Sequence, residues 1–157
     1  MLAVSPLSTL HTIKQLLALK GRLKMKTYED VSRMLEEIID ETPEQLFEGL
    51  TGGVLLSEQY KLHPQSKPGS SLYIMGEYRT NITGSRIVIY YGSFMAVYGY
   101  LDSQSFREKL RHTFAHELRH HIERLSGVKD LENYDKEKLH RYNSGIDIAE
   151  FHEPPIE

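Results

Sequence analysis

The sequence predicts a single α+β domain on three observations: a helical apolar period from Tyr28, a middle third rich in β-branched and aromatic residues, and a long helical period after Asp102. The length agrees, since 157 residues are about one domain's worth and can bury a real core. Hydrophobic residues at 39% and charged residues at 26% are ordinary globular values, which excludes disorder as the main state.

The elements follow in order. Thr27 with Asp30 three residues on is close to a capping box. Tyr28, Val31, Met34, Leu35, Ile38 and Ile39 then recur at helical spacing to about Asp40. Thr42-Pro43 supplies an N-cap and a first-turn proline for a short helix through Leu46 and Phe47, ended by Gly49. Val54-Leu55-Leu56 after two glycines reads as a short strand, and 63–70, with two prolines, as loop. Residues 72–78 and 86–91 are the next two strands, flanking a turn at 81–85. Ser93–Tyr98 reads as a short helix ended by Gly99. Asp102 or Ser103 then caps a long helix to about Leu125, with Phe106, Leu110, Phe114, Leu118, Ile122 and Leu125 on its stripe and Gly127 as its stop. Residues 1–24 read as an N-terminal extension, helical or loosely attached, 25–142 as the domain, and 143–157 as a polar tail.

Charge narrows the class. The net charge of −3 divides into +4 from Lys14, Lys20, Arg22 and Lys24 and −7 over the remainder. An acidic body without a basic stripe argues against nucleic acid as the partner. No apolar run approaches the roughly 18 residues that span a bilayer, and no secretory signal stands out, so the sequence reads as cytoplasmic. There is no cysteine, which removes disulfide scaffolds, thiolate metal sites and a cysteine nucleophile. Any metal must sit on histidine and carboxylate.

The long helix carries His116-Glu117-Leu118-Arg119-His120, the pattern H-E-x-x-H. Four residues on a helix turn through about 400°, so both imidazoles leave one face a turn apart and can share an ion. Glu117 lies about 100° from His116, at the edge of that face. Zinc on neutral imidazoles lowers the pKa of a bound water to about 7, and a glutamate placed there takes its proton as a polarised carbonyl is attacked. From the chain's own frequencies the pattern is expected roughly 0.04 times by chance, so coincidence is a poor account of it. His121 points away and packs or faces solvent, His112 is one turn earlier on the same stripe, and Arg119 belongs to the outer face without a role.

Residues 111–121, with 86–92 and the helix opening at 25–30, resemble the minimal zincins, small bacterial zincin-like metallopeptidases, over roughly Met25 to Tyr142. The resemblance implies a compact zincin-like domain with a small mixed sheet, a Zn²⁺ cofactor held from an active-site helix, and a metallopeptidase hydrolysing peptide or protein substrates with Glu117 as general base. The resemblance also makes the strand 87–91 the candidate edge strand that pairs with substrate. Tyr90 or Tyr91 could donate to the oxyanion, but in a chain of ten tyrosines a structural role for both is the expected one. Residues 1–24 have no counterpart.

The third ligand departs from the family, whose short form reads H-E-x-x-H-x-x-G-x-x-D. Glu123 stands where that glycine would be, and the glycine comes a turn later at Gly127. A literal match then selects Asp130, but six more helical residues carry the chain about 9 Å past His120, a distance three residues barely recover. Asp135 has eight residues in which to return, and 135–139 resembles the acidic segment that follows the ligand in short members. Asp135 is the expected ligand, with Asp130, Glu132, Glu137 or water alone as the alternatives. Lacking cysteine, the chain does not fit a deformylase. The competing readings are a non-catalytic metal-stabilised binding module and an accessory protein docking through the basic residues 1–24.

Overall fold

The computed structural model describes residues 25–127 and 130–144. Its elements are α1 (Tyr28–Asp40), a 3₁₀ turn (Glu44–Phe47), β1 (Val54–Ser57), β2 (Gly76–Asn81), β3 (Gly84–Tyr90), α2 (Tyr91–Tyr98), α3 (Ser103–Ser126) and α4 (Asp130–Asn143). The fold is α+β, with four α-helices and one mixed three-stranded sheet among the described residues, the class the sequence predicts. The strand order is β1-β3-β2, with β1 parallel and β2 antiparallel to β3. Residues 1–24 and 145–157, and with them the extension and most of the tail, lie outside the described residues.

Local chemistry accounts for most boundaries. The capping box at the start of α1 is complete: the Asp30 amide donates to Thr27 Oγ1 at 3.2 Å and the Thr27 amide to Asp30 Oδ2 at 3.1 Å. The Asp102 carboxylate caps α3 by accepting from the amides of Gln104 and Ser105, and Gly127 ends it at φ 76°, a left-handed conformation that glycine adopts without steric cost.

Other boundaries differ from the sequence reading. Thr42 does not cap the next element; its hydroxyl donates back to the Ile38 carbonyl at 2.7 Å, so Pro43 takes the cap position of a single 3₁₀ turn. Residues 72–75 do not begin β2. Their segment pairs instead with 61–63, where the Ile74 amide reaches the Lys61 carbonyl and the His63 amide the Leu72 carbonyl, both at 2.8 Å. The turn between β2 and β3 is only Ile82-Thr83, with Asn81 opposite Gly84. Tyr91 opens α2 rather than closing β3.

The core joins α1 (Val31, Leu35, Ile38), β3 (Ile87, Ile89), α2 (Phe94) and α3 (Phe106, Leu110, Phe114, Leu118). On α3 the apolar stripe does not continue to Ile122 and Leu125, which are exposed; His121 is buried in their place. Each four-residue step overshoots a full turn by about 40°, so after 106, 110, 114 and 118 a three-residue step restores the inward direction. No helix among the described residues is long and apolar enough to cross a membrane.

Candidate metal centre

The centre is assembled by an overshoot and a return. From His120 to the end of α3 the chain climbs six residues, about 9 Å; from Asp130 to Asp135 it travels five helical residues, about 7.5 Å, along α4. The Asp135 carboxylate thereby meets both imidazoles: its Oδ2 lies 2.8 Å from His120 Nε2 and 3.3 Å from His116 Nε2. The two rings stand edge to face, centroids 4.9 Å apart. One donor atom from each of His116, His120 and Asp135 falls within 4.8 Å of the others, a group that could hold a metal ion. Burial alone would raise the Asp135 carboxyl, but hydrogen bonds from His116 and His120 more than offset it and hold it well below the usual carboxylate range.

Of the alternatives, the described residues place Glu137 away from the group. Glu137 is two residues past Asp135, about 200° around α4, and exposed. The side chains of Asp130 and Glu132 lie outside the described residues. His112 is exposed and is not in the group.

Glu117 is buried at the same face of α3, and its Oε2 accepts the Tyr78 amide of β2 at 2.8 Å. Desolvation raises its pKa, opposed by His116, His120 and the Tyr78 amide and reinforced by the Asp135 charge. A cleft of about 320 Å³ opens over it, lined by residues 76–79 of β2 together with Glu117, His120 and Asp135. β2 lies this close because Gly76 has no side chain: a Cβ there would meet Ile89 Cδ1 and Thr113 Cγ2 at 3.0 Å and Glu117 Cγ at 3.1 Å. Residues 76–78 were absent from the sequence-based site. Their one cue was a glycine inside a strand pattern, a mark of close backbone approach.

His121 packs rather than facing solvent. Fully buried, it sits 2.8 Å from the Glu48 carbonyl through Nε2 and 3.1 Å from the Tyr78 hydroxyl through Nδ1. A carbonyl only accepts, which assigns the proton to Nε2 and leaves Nδ1 to accept from Tyr78. Tyr78 is thus held at both ends, its amide by Glu117 and its hydroxyl by His121. The variant His121→Ala should lose about 2–4 kcal/mol of stability, from a cavity plus the hydrogen bonds lost by the Glu48 carbonyl and the Tyr78 hydroxyl. Urea unfolding measures this, and a loss under about 1 kcal/mol would contradict the clamp.

Two expectations are corrected, the edge strand and Arg119, and the structural role expected of the two tyrosines is met. The strand 87–91 is not an edge: β3 is central and paired on both sides, so the free edges belong to β1 and β2. Neither tyrosine hydroxyl is available as an oxyanion donor. Tyr90 donates to Glu77 at 2.7 Å and accepts from Arg79 at 2.9 Å, while Tyr91 donates to the Lys26 carbonyl. Arg119 is not on an outer face. It pairs with Glu123 one turn on at 3.2 Å, with side chains only 14% and 10% exposed.

No family model matches the chain. No curated protein matches it either. Among solved structures, it is similar to a conserved hypothetical protein from Thermo thermophilus at 32% identity and a TM-score of 0.55, over 64% of this chain and 98% of that one.

Proposed function

We propose, for a chain that belongs to one family with that conserved hypothetical protein, a zinc-dependent metallopeptidase of the minimal zincin type, with Glu117 as general base. The observation that carries the reading is the convergence of His116, His120 and Asp135 within 4.8 Å beside the buried carboxyl of Glu117. The donor set suits zinc. Two ligands at about 2.1 Å from one tetrahedral ion lie about 3.4 Å apart; His116 Nε2 and Asp135 Oδ2 are at 3.3 Å, and the 2.8 Å hydrogen bond between His120 Nε2 and Asp135 Oδ2 would open by about 0.6 Å to admit the ion. Two imidazoles and one carboxylate are also the ligand number of catalytic zinc sites, which keep a fourth position open.

When bound, the ion supplies Lewis-acid polarisation of a carbonyl and of water. The chain's own part is placement. His116 and His120 come from one helical face, and Asp135 arrives charged because both histidines hold its proton off. Glu117 is fixed by the Tyr78 amide, and its raised pKa moves it toward the range in which a carboxyl exchanges protons usefully near neutral pH. The purified chain should carry one equivalent of zinc and cleave peptides in a chelator-sensitive manner. Stoichiometric zinc in a protein that cleaves nothing in a diverse peptide library would sink the peptidase reading.

One observation favours the second reading, a metal-stabilised binding module: a Glu117 oxygen is already engaged by the edge strand. Absorption spectra of the cobalt-substituted protein separate the two. A closed four-ligand shell unaltered by small competing anions favours the module, and an exchangeable position favours the peptidase.

A further inference from the structure

We propose that the cleft between α4 and the segment 72–74 receives an apolar side chain of the substrate, on the residue next to the bond that is cut. This deepens the peptidase reading and rests on it. The cleft has a volume of about 480 Å³, with Leu72, Tyr73 and Ile74 on one wall and Leu139 on the other. That is within the roughly 300–1,000 Å³ of ligand pockets and larger than one side chain, so flanking backbone shares it. His120 and Asp135 line it and also line the cleft over Glu117, so an occupant is continuous with the candidate metal centre.

The pocket is a built one. Its 72–74 wall is paired to 61–63, and the Leu72 amide is further held by Ser66 Oγ at 2.9 Å. Its far end is strapped to α4: Asn143 Nδ2 donates to Gln65 Oε1 at 2.6 Å, and Lys67 Nζ to the Asn143 carbonyl at 3.3 Å. A pocket already formed before binding loses little freedom on filling. Charge selects against basic residues. Both carboxylates lining the cleft are already engaged, Glu77 by Lys61 at 2.6 Å and Arg79 at 2.8 Å and Asp135 by His116 and His120, so a basic side chain finds no fresh partner there.

The test is calorimetric binding, to the zinc-loaded full chain, of peptide hydroxamates that differ in one side chain: glycine, leucine, phenylalanine or lysine. Leucine and phenylalanine should bind at least about tenfold tighter than glycine, and lysine no tighter than glycine. Neither Leu72 nor Leu139 belongs to the core. The variants Leu72→Ala and Leu139→Ala should therefore keep their circular dichroism and their zinc, while the ratio of leucine to glycine affinity falls below about threefold. Equal or absent binding across the series, or a preference that survives in both variants, overturns the pocket. The two failures are distinguishable: preference without cleavage of any peptide removes the peptidase reading and leaves the pocket, and cleavage without preference does the reverse.

Discussion

The variant Glu117→Gln should lower peptide cleavage by the zinc-loaded protein by about 10²–10⁴-fold, the range a positioned general base contributes. Glutamine is isosteric, and its amide oxygen can still accept the Tyr78 amide that Glu117 Oε2 accepts at 2.8 Å. What it lacks is a site for the proton. Zinc content should therefore stay at the wild-type level while kcat falls. A variant that retains more than about a tenth of the activity would remove Glu117 from the chemistry. Stability of the metal-free protein gives an independent reading. Burial raises the Glu117 carboxyl, so its folded pKa lies above its unfolded one. A raised carboxyl contributes stability below its unfolded pKa and loses it as pH rises through the folded value. The variant, having no charge to bury, should match the wild type near pH 4 and become relatively more stable than it toward neutral pH, as measured by urea unfolding across that range.

The variant Asp135→Asn should weaken zinc binding by about a hundredfold or more, because the amide replaces the anionic donor of the proposed three-ligand set. It should also uncouple α4 from the metal. Ligand that binds only the folded state stabilises by about 4 kcal/mol at a thousandfold excess over Kd, so zinc should raise the wild-type melting temperature by several degrees and that of the variant far less. Asp135→Asn protein that binds zinc as tightly as the wild type would return the third position to Asp130, Glu132, Glu137 or water. Without metal the sign with pH is opposite to that of Glu117. The Asp135 carboxyl is held below the usual range, so the stability it contributes is present above the unfolded carboxylate pKa and is lost as acid protonates it. The gap between wild type and variant in the metal-free state should accordingly close as pH falls below about 4.

Much of the molecule was legible because it is local. The capping box at Thr27 and Asp30, the Asp102 cap and the Gly127 stop each depend on residues within a turn of one another, and the structure has all three where the spacing puts them. Helix α4 is not legible in this way. Its apolar positions Leu131, Tyr134, Leu139 and Tyr142 are spaced three, five and three apart, too few and too irregular for a period to stand out. Residues 72–74 have strand composition, but composition does not say that their partner is 61–63 rather than β3.

The sequence by itself determined the α+β class and the juxtaposition of His116, Glu117 and His120, since 3.6 residues per turn places them without help from the rest of the chain. It also limited any metal to imidazole and carboxylate donors, there being no cysteine. Only the tertiary structure decided which acid comes back to that face, because the return depends on α4 packing against α3 and not on the count of residues between them. The free sheet edge is likewise a matter of strand order, so β2 rather than β3 faces the centre. The burial of His121 and the pairing of Arg119 with Glu123 follow from what packs around α3. Helix geometry is set by neighbours along the chain, and the partners of a carboxylate or a strand are set by neighbours in space.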